Sequence, residues 1–235
     1  MRRLLHLTAG CGEDGAMERT TAAVLLAAGA GSRLGRGPKA LLPFRGRPLI
    51  EHQIRVLRYG GCSEVYAVLG AGFADILAGA RLDGARTVHN AQWRQGMGGS
   101  YRLGITAALG ATETPGSVLV ALVDQPGLSP AVVGRILAAG TPGRIAAAAY
   151  RDGPKAPLRR GHPVLFDAGL ARRSLEPNAR ATSAAGDRSG DPAAARDAGA
   201  RAFLAAHPGL VDLIDCSDLA DGRDVDTETD IVLLD

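Results

Sequence analysis

Aromatic side chains are scarce in this 235-residue chain: one Trp, four Tyr and four Phe. Proteins that grip nucleic acid combine basic stripes with stacking aromatics. Segment 151–201 is rich in arginine, but Phe166 is its one aromatic and no basic stripe alternates with aromatics, so it gives little support to nucleic-acid binding. Cysteine is rarer still. Cys11, Cys62 and Cys216 are odd in number and widely spaced, which suits a reducing compartment and matches no zinc-ligand spacing. No apolar run reaches the roughly 20 residues of a membrane span. Met1-Arg2-Arg3 followed by Leu4 and Leu5 begins like a signal peptide, but the stretch breaks at His6 and Gly10, and Glu13 and Asp14 follow. These absences lead to the expectation of a cytoplasmic protein. The net charge of +3 is modest; a surface that attracts small anionic substrates accounts for it. There is no internal repeat, and no linker clearly divides the chain. Its length suits one α/β domain with a sizeable core. Residues 1–20 read as a disordered extension, with Met17 as an alternative start, and 21–235 as the domain.

The most informative segment present is Val24 to Lys39, VLLAAGAGSRLGRGPK. A short apolar run ends in a loop carrying Gly29, Gly31, Gly35 and Gly37, with Arg33 and Lys39. Glycines let backbone N–H groups approach phosphate oxygens, and the two cations neutralise them. Two common phosphate loops fail on spacing. The dinucleotide fingerprint G-x-G-x-x-G is met by Gly29 and Gly31, but Leu34 stands where the third glycine belongs. The next strand ends in Val68-Leu69-Gly70, without the ribose-binding carboxylate. The P-loop fails because Pro38 separates Gly37 from Lys39 and Ala40 follows where a hydroxyl is needed. A glycine turn that binds nothing is the alternative, and two cations inside the loop weigh against it.

Strand patterns at 22–28, 64–69, 85–89, 117–123 and 144–150 alternate with helix patterns at 48–59, 73–80, 98–110 and 129–139. Pro48 suits a first helical turn, with Ile50, Ile54 and Leu57 at helical spacing; Ser129-Pro130 is a cap followed by a first-turn proline. The alternation predicts a mainly parallel sheet with helices on both faces, which binds ligands at the carboxyl ends of its strands. Beyond residue 150 the expected elements are a short strand at Val164 to Phe166, a mobile loop at 176–192, a helix near 193–206, a strand near 210–214 and a last helix from about 227.

Asp124 follows the apolar run Val118 to Val123, so a carboxylate at a buried strand tip is placed to hold Mg2+, a hard cation that bridges oxygen ligands to substrate phosphates. An Asp before Gln-Pro-Gly is equally an ordinary turn residue. Asp224-Val225-Asp226-Thr227-Glu228 is either a second carboxylate source for that metal or a helix cap. The segment from His89 to Ser100 holds the only Trp and lines a base and ribose pocket, or is a loop plugged by an aromatic. His162, between Gly161 and Pro163, is an acceptor-site residue or a turn histidine.

Together, LAAGAGSRLGRGPKALLPFRGRPL, HNAQWRQGMGGS, VDQP, GHPVLF, DAGAR at 197–201 and DVDTETD resemble the MobA-like nucleotidyltransferases, in this order along nearly the whole chain from residue 22. LAAG rather than LAGG is similar to the molybdenum cofactor cytidylyltransferase branch. The resemblance implies a single Rossmann-like domain with a mostly parallel mixed sheet, and Mg2+-dependent transfer of CMP from CTP, or of another NTP's nucleotide, to the terminal phosphate of a molybdopterin-type acceptor with release of pyrophosphate. A molybdoenzyme or its chaperone would be a further partner. The implied nucleotide-binding set is Leu26, Ala27, Ala28, Gly29, Gly31, Ser32, Arg33, Lys39 and Ser100. Ala28 and Gly29 would lie against the base, Arg33 would bind the outer phosphates and Lys39 would reach the reacting one. Asp124 and Asp226 would hold Mg2+, and His162 would face the acceptor. Lys39, Arg33 and Asp124 are the implied catalytic residues. The loop at 176–192 and the N-terminal extension depart from the family pattern. Two alternatives remain: an NAD(P)H-dependent oxidoreductase of the nicotine blue oxidoreductase type, and a non-catalytic accessory protein that binds nucleotide or cofactor.

Overall fold

A computed structural model describes residues 19–153, 155–176 and 199–235. Cys11, most of the expected extension at 1–20 and nearly all of the expected loop at 176–192 lie outside the described residues. Arg19 and Thr20 are already tied to the domain. The Arg19 guanidinium donates to the Gly116 carbonyl at 3.1 Å and pairs with Asp167 at 2.9 Å, and the Gly116 N–H donates to the Thr20 carbonyl.

Seven strands form the main sheet: β1 (Thr21–Ala27), β4 (Glu64–Leu69), β5 (Arg86–His89), β6 (Ser117–Leu122), β7 (Ile145–Tyr150), β8 (Arg159–Asp167) and β9 (Val211–Asp215). A separate two-stranded ribbon pairs β2 (Pro43–Phe44) with β3 (Arg47–Pro48). The sheet order is β5-β4-β1-β6-β8-β7-β9, and β8 alone runs antiparallel to its neighbours. All seven residues of β1 are buried, as expected of a strand covered on both faces. Its side chains alternate between two cores. Ala23, Leu25 and Ala27 face α1 (Leu49–Tyr59), α2 (Phe73–Gly79) and α4 (Pro130–Ala138). Ala22, Val24 and Leu26 face α3 (Met97–Leu109), α5 (Ala168–Arg173) and α6 (Gly199–Ala206).

This division of helices positions the site. The chain moves outward from β1 through α1, β4, α2 and β5 on one side, then crosses back over the opposite face through α3 to β6. The strand order therefore reverses between β1 and β6, and the crevice above their carboxyl ends is where open α/β sheets bind ligands. The glycine loop leaves β1 there, and Asp124 follows β6 two residues past its end.

The strand expectations hold to within a residue for β1, β4 to β7 and β9. The Ser129 hydroxyl accepts from the Val132 N–H as a cap, with Pro130 in the first turn. Differences are local. Pro48 precedes α1 rather than opening it, because it is the last residue of β3 and pairs with Pro43 across the ribbon. The short strand expected at 164–166 extends over 159–167, and α5 follows it directly. The last helix is a 3-10 segment, Glu228–Leu234. Of the helix expected near 193–206, residues 199–206 form α6 and the rest lie outside the described residues. Cys62 and Cys216 are buried and unpaired, and burial pushes the Cys62 thiol up to about 12. Among the described residues no helix is long and apolar enough to cross a membrane.

Gly104 sets how closely α3 approaches the sheet. A Cβ there would stand 2.4 Å from Val24 Cγ1 and 2.8 Å from Val68 Cγ2, both on buried strands. Close-packed interiors do not absorb an added methyl without displacement. Gly104→Ala is expected to lower stability by about 1–3 kcal/mol, read as a lower urea midpoint at unchanged slope. An unchanged midpoint would mean that α3 is free to lift off the sheet.

Candidate functional site

The loop after β1 is shaped by steric necessity at Gly31. Its φ is +61°, and a Cβ would fall 2.4 Å from the Gly37 carbonyl oxygen, so only glycine closes the loop here. The Leu34 and Gly35 N–H groups both donate to the Gly31 carbonyl. Leu34 explains the failed dinucleotide fingerprint. Its side chain is buried with Leu42, Phe44, Leu49, Val225 and Leu234 in a small third core beneath the loop. An anchoring leucine takes the position at which a Rossmann loop packs its helix on the strand. No helix follows: the chain enters a 3-10 turn, Lys39–Leu41. The loop therefore offers an anion backbone N–H groups and side-chain cations, without a helix dipole.

Lys39 is where three distant segments meet. Its Nζ donates to Asp124 Oδ2 at 2.7 Å and also to Asp226 Oδ1. The Lys39 side chain is 13% exposed, against 19% for Asp124 and 46% for Asp226. Burial works to lower the lysine's pKa, but hydrogen bonds and charge from the two carboxylates outweigh it, and the pKa is raised. Asp226 is held from both sides. The Val225 N–H donates to the Asp124 carbonyl at 2.8 Å, which joins the C-terminal segment to the end of β6. Asp230 Oδ2 accepts from the N–H groups of Asp226 and Thr227 and from the Thr227 hydroxyl. The capping reading of this cluster is thus correct for Thr227 and Asp230, while Asp226 is left to face Lys39. Asp224 lies close by, and burial followed by the charge of Asp124 raises its pKa.

A second support was missed in the sequence. Gln53 sits on the buried face of α1, fully enclosed, and donates from Nε2 to the Gln125 carbonyl at 2.6 Å. Gln125 in turn donates to the Gly222 carbonyl. The signal was present: a glutamine interrupts the apolar stripe of Ile50, Ile54 and Leu57, and a polar group there needs a buried partner.

The other expected residues are distributed as follows. Leu26 and Ala27 are buried strand residues, and Ala28 is buried at the loop's entry, while Gly29 has open space where a side chain would stand. Ser32 and Arg33 are exposed on the loop. Beside Gly29, Gly70 abuts Trp93, and the Arg94 guanidinium lies 4.4 Å from the centre of the Trp93 ring. Ser100 lies in the first turn of α3 but is buried, its hydroxyl accepting from Asn90 Nδ2 at 2.9 Å, so its side chain ties the two ends of the His89–Ser100 segment together. His162 is a strand residue of β8, not a turn residue. Burial, then the charges of Arg160 and Arg201, lower its pKa to about 4. Arg160 and Arg201 are close enough for their charges to act on it.

The donor chemistry at Lys39 suits a hard divalent cation. Two carboxylate oxygens from separate segments converge on one cationic centre, and Mg2+ is commonly held by one or two carboxylates together with substrate phosphates. Among the described residues no group of three or more His, Cys, Asp or Glu side chains is arranged to hold a metal unaided.

Comparison with known proteins bears on this site. Residues 23–210 match the MobA-like NTP transferase domain. The chain is 52% identical over 206 residues to nicotine blue oxidoreductase of Paenarthrobacter nicotinovorans, covering 87% of this chain and 91% of that one. It is 32% identical over 124 residues to a molybdenum cofactor guanylyltransferase of Xanthomonas euvesicatoria pv. vesicatoria, covering 52% and 56%. Among solved structures, Rv0371c from Mycobacterium tuberculosis superposes with a TM-score of 0.69 at 24% identity over 91% of this chain and 96% of that one. The same protein in complex with manganese gives a TM-score of 0.62 at 25% identity, covering 92% and 98%.

The depressed pKa of His162 fixes a pH dependence. Between the unfolded value near 6.5 and the folded value of about 4, the unfolded chain binds the extra proton, so stability rises with pH across that window and falls on acidification. The full shift is not realised because the imidazole is partly accessible; the loss from pH 6.5 to 4 is expected to be on the order of 2 kcal/mol. His162→Gln should flatten that limb in urea titrations at stepped pH. An equally steep limb in the variant would place the titrating group elsewhere.

Proposed function

The chain belongs to the MobA-like NTP transferase family, and on that premise we propose that it transfers CMP from CTP to the terminal phosphate of a molybdopterin-type acceptor, with pyrophosphate as the leaving group. The observation that carries the reading is the joining of Lys39 to Asp124 and Asp226 beside a glycine loop at the strand-order reversal. The Xanthomonas relative's name supplies the acceptor class. The LAAG sequence at the end of β1 favours cytidylyl over guanylyl transfer.

Phosphoryl-group chemistry asks little covalent help from a protein; positioning and charge stabilisation carry it. The glycine loop would cradle the triphosphate, with Arg33 on its outer phosphates. Lys39, released towards the phosphates, would hold the reacting one and stabilise its developing charge. Gly29 and the Gly70–Trp93 floor would take the base. Arg160, His162 and Arg201 would orient the anionic acceptor for in-line attack on the α-phosphate. Mg2+ held by Asp124 and Asp226, as suggested by the manganese-bound relative, would add Lewis-acid stabilisation at the same centre. No covalent enzyme intermediate is required.

A second reading is favoured by one specific observation, the 52% identity to nicotine blue oxidoreductase: reduction of a quinone-like pigment by NAD(P)H. Against it stand Leu34 at the third glycine position, the 3-10 turn in place of a helix, and Gly70 where a ribose-binding carboxylate belongs.

One panel separates the two. CTP, GTP, ATP, NADH and NADPH are each tested with and without Mg2+ for thermal stabilisation. At about a hundredfold excess over Kd, CTP with Mg2+ is expected to raise Tm by about 5–10 °C. A metal-independent shift with NADPH, together with NADPH oxidation by a quinone-like dye, would overturn transfer in favour of reduction. Asp124→Asn is expected to lower CTP-dependent pyrophosphate release by about a hundredfold or more while keeping the fold; unchanged turnover would remove Asp124 from the chemistry.

A further inference from the structure

The transfer reading gives Lys39 to the phosphates and Asp124 with Asp226 to a metal, yet in the protein as it stands these groups hold each other. We propose that Lys39 is an internal counter-ion that occupies the divalent-metal position until a nucleoside triphosphate binds, so that metal and nucleotide load together. This rests on the nucleotidyl-transfer reading and deepens it.

Three features of the geometry carry the inference. First, the ammonium engages Asp124 Oδ2 and Asp226 Oδ1, an oxygen from each carboxylate a divalent cation would need. An ammonium and a metal ion at one point repel, so the two occupancies exclude each other. Second, the lysine stem runs along the phosphate loop. A Cβ on Gly31 would lie 3.3 Å from Lys39 Cγ, so the ammonium can leave the carboxylates for the loop by rotation about its own flexible stem. Third, the backbone around it is anchored. The Lys39 carbonyl accepts from the Leu42 N–H, and neighbouring Ala40 is buried. Asp124 is tied through its carbonyl to Val225, and the Asp226 backbone is clamped by Asp230. The long lysine side chain can therefore turn without the backbone of the cluster moving.

Phosphates bound in the loop compete with the carboxylates for the ammonium. Once it turns to them, both carboxylates are released as a pair of anions facing one place. The coupling is reciprocal: nucleotide tightens metal binding, and metal tightens nucleotide binding by the same factor. Metal-free nucleotide and nucleotide-free metal are then both poorly held, which limits unproductive complexes.

The test measures Mn2+ affinity on the full chain, from the free-ion EPR signal, with no nucleotide present. Wild type is expected to bind weakly, and Lys39→Met about tenfold tighter or more. Arg47→Met removes the same charge from the exposed β2–β3 ribbon and is expected to stay within about twofold of wild type. Adding Asp124→Asn to Lys39→Met should abolish the gain. If Lys39→Met fails to fold by circular dichroism, Lys39→Gln replaces it. Equal nucleotide-free affinity in wild type and the Lys39 variant would overturn the counter-ion proposal while leaving the metal site intact. A comparable gain in Arg47→Met would also overturn it, by reducing the effect to net charge. No Mn2+ binding to any variant, with or without CTP, would instead sink the transfer reading, and the proposal with it.

Discussion

One ammonium ion holds the site together. Lys39 lies 85 residues from Asp124 and 187 from Asp226 along the chain, and their meeting closes the C-terminal segment over the strand-order reversal. A partly buried charge is costly unless it is paired and hydrogen-bonded. That requirement shapes what surrounds it. The Val225 N–H must reach the Asp124 carbonyl, Asp230 must fix the Asp226 backbone, and the small core of Leu34, Leu42, Phe44, Leu49, Val225 and Leu234 must lock loop and C-terminal segment to one base. Apolar packing supplies the rigidity, and the charges supply a single alignment.

The sheet performs a different service. It fixes the distance between the ends of β1 and β6. The parallel ladder pairs Leu26 with Leu122, so the glycine loop and Asp124 leave adjacent strands at the same level. The Val123 N–H to Leu26 carbonyl bond continues that pairing past the end of the strand. Gln53 then reaches from α1 to the Gln125 carbonyl and prevents the residue after Asp124 from drifting. Precision at the carboxylate thus comes from two sources, a backbone ladder on one side and a buried amide on the other.

Much of this was legible in the sequence, and the residues show why. Buried strands are apolar runs of four to eight residues, so β1, β4 and β6 stood out. The cap at Ser129-Pro130 is a local signal, and it held. Asp124, Asp226 and Lys39 were identifiable as chemically apt types. What no local pattern carries is pairing across long separations: that Lys39 bridges the two aspartates, that β8 inserts antiparallel between β6 and β7, and that Ser100 faces inward to Asn90. Leu34 is the instructive case. As a missing glycine it excluded a motif. As a buried anchor it shows what replaced that motif.

That replacement bears on how one scaffold can serve relatives with such different names. Fold does not fix function; the site grafted on it does. A dinucleotide cofactor lays its pyrophosphate at a helix N-terminus and its ribose on a carboxylate at the end of the second strand. This chain offers a 3-10 turn and Gly70 at those places, and a lysine between two aspartates instead. Under the proposed transfer each member of that cluster has a task, the lysine on a phosphate and the two carboxylates on a metal. Three charges in a partly buried position cost stability unless they pair with one another, and the proposed transfer gives each of them a use beyond that pairing.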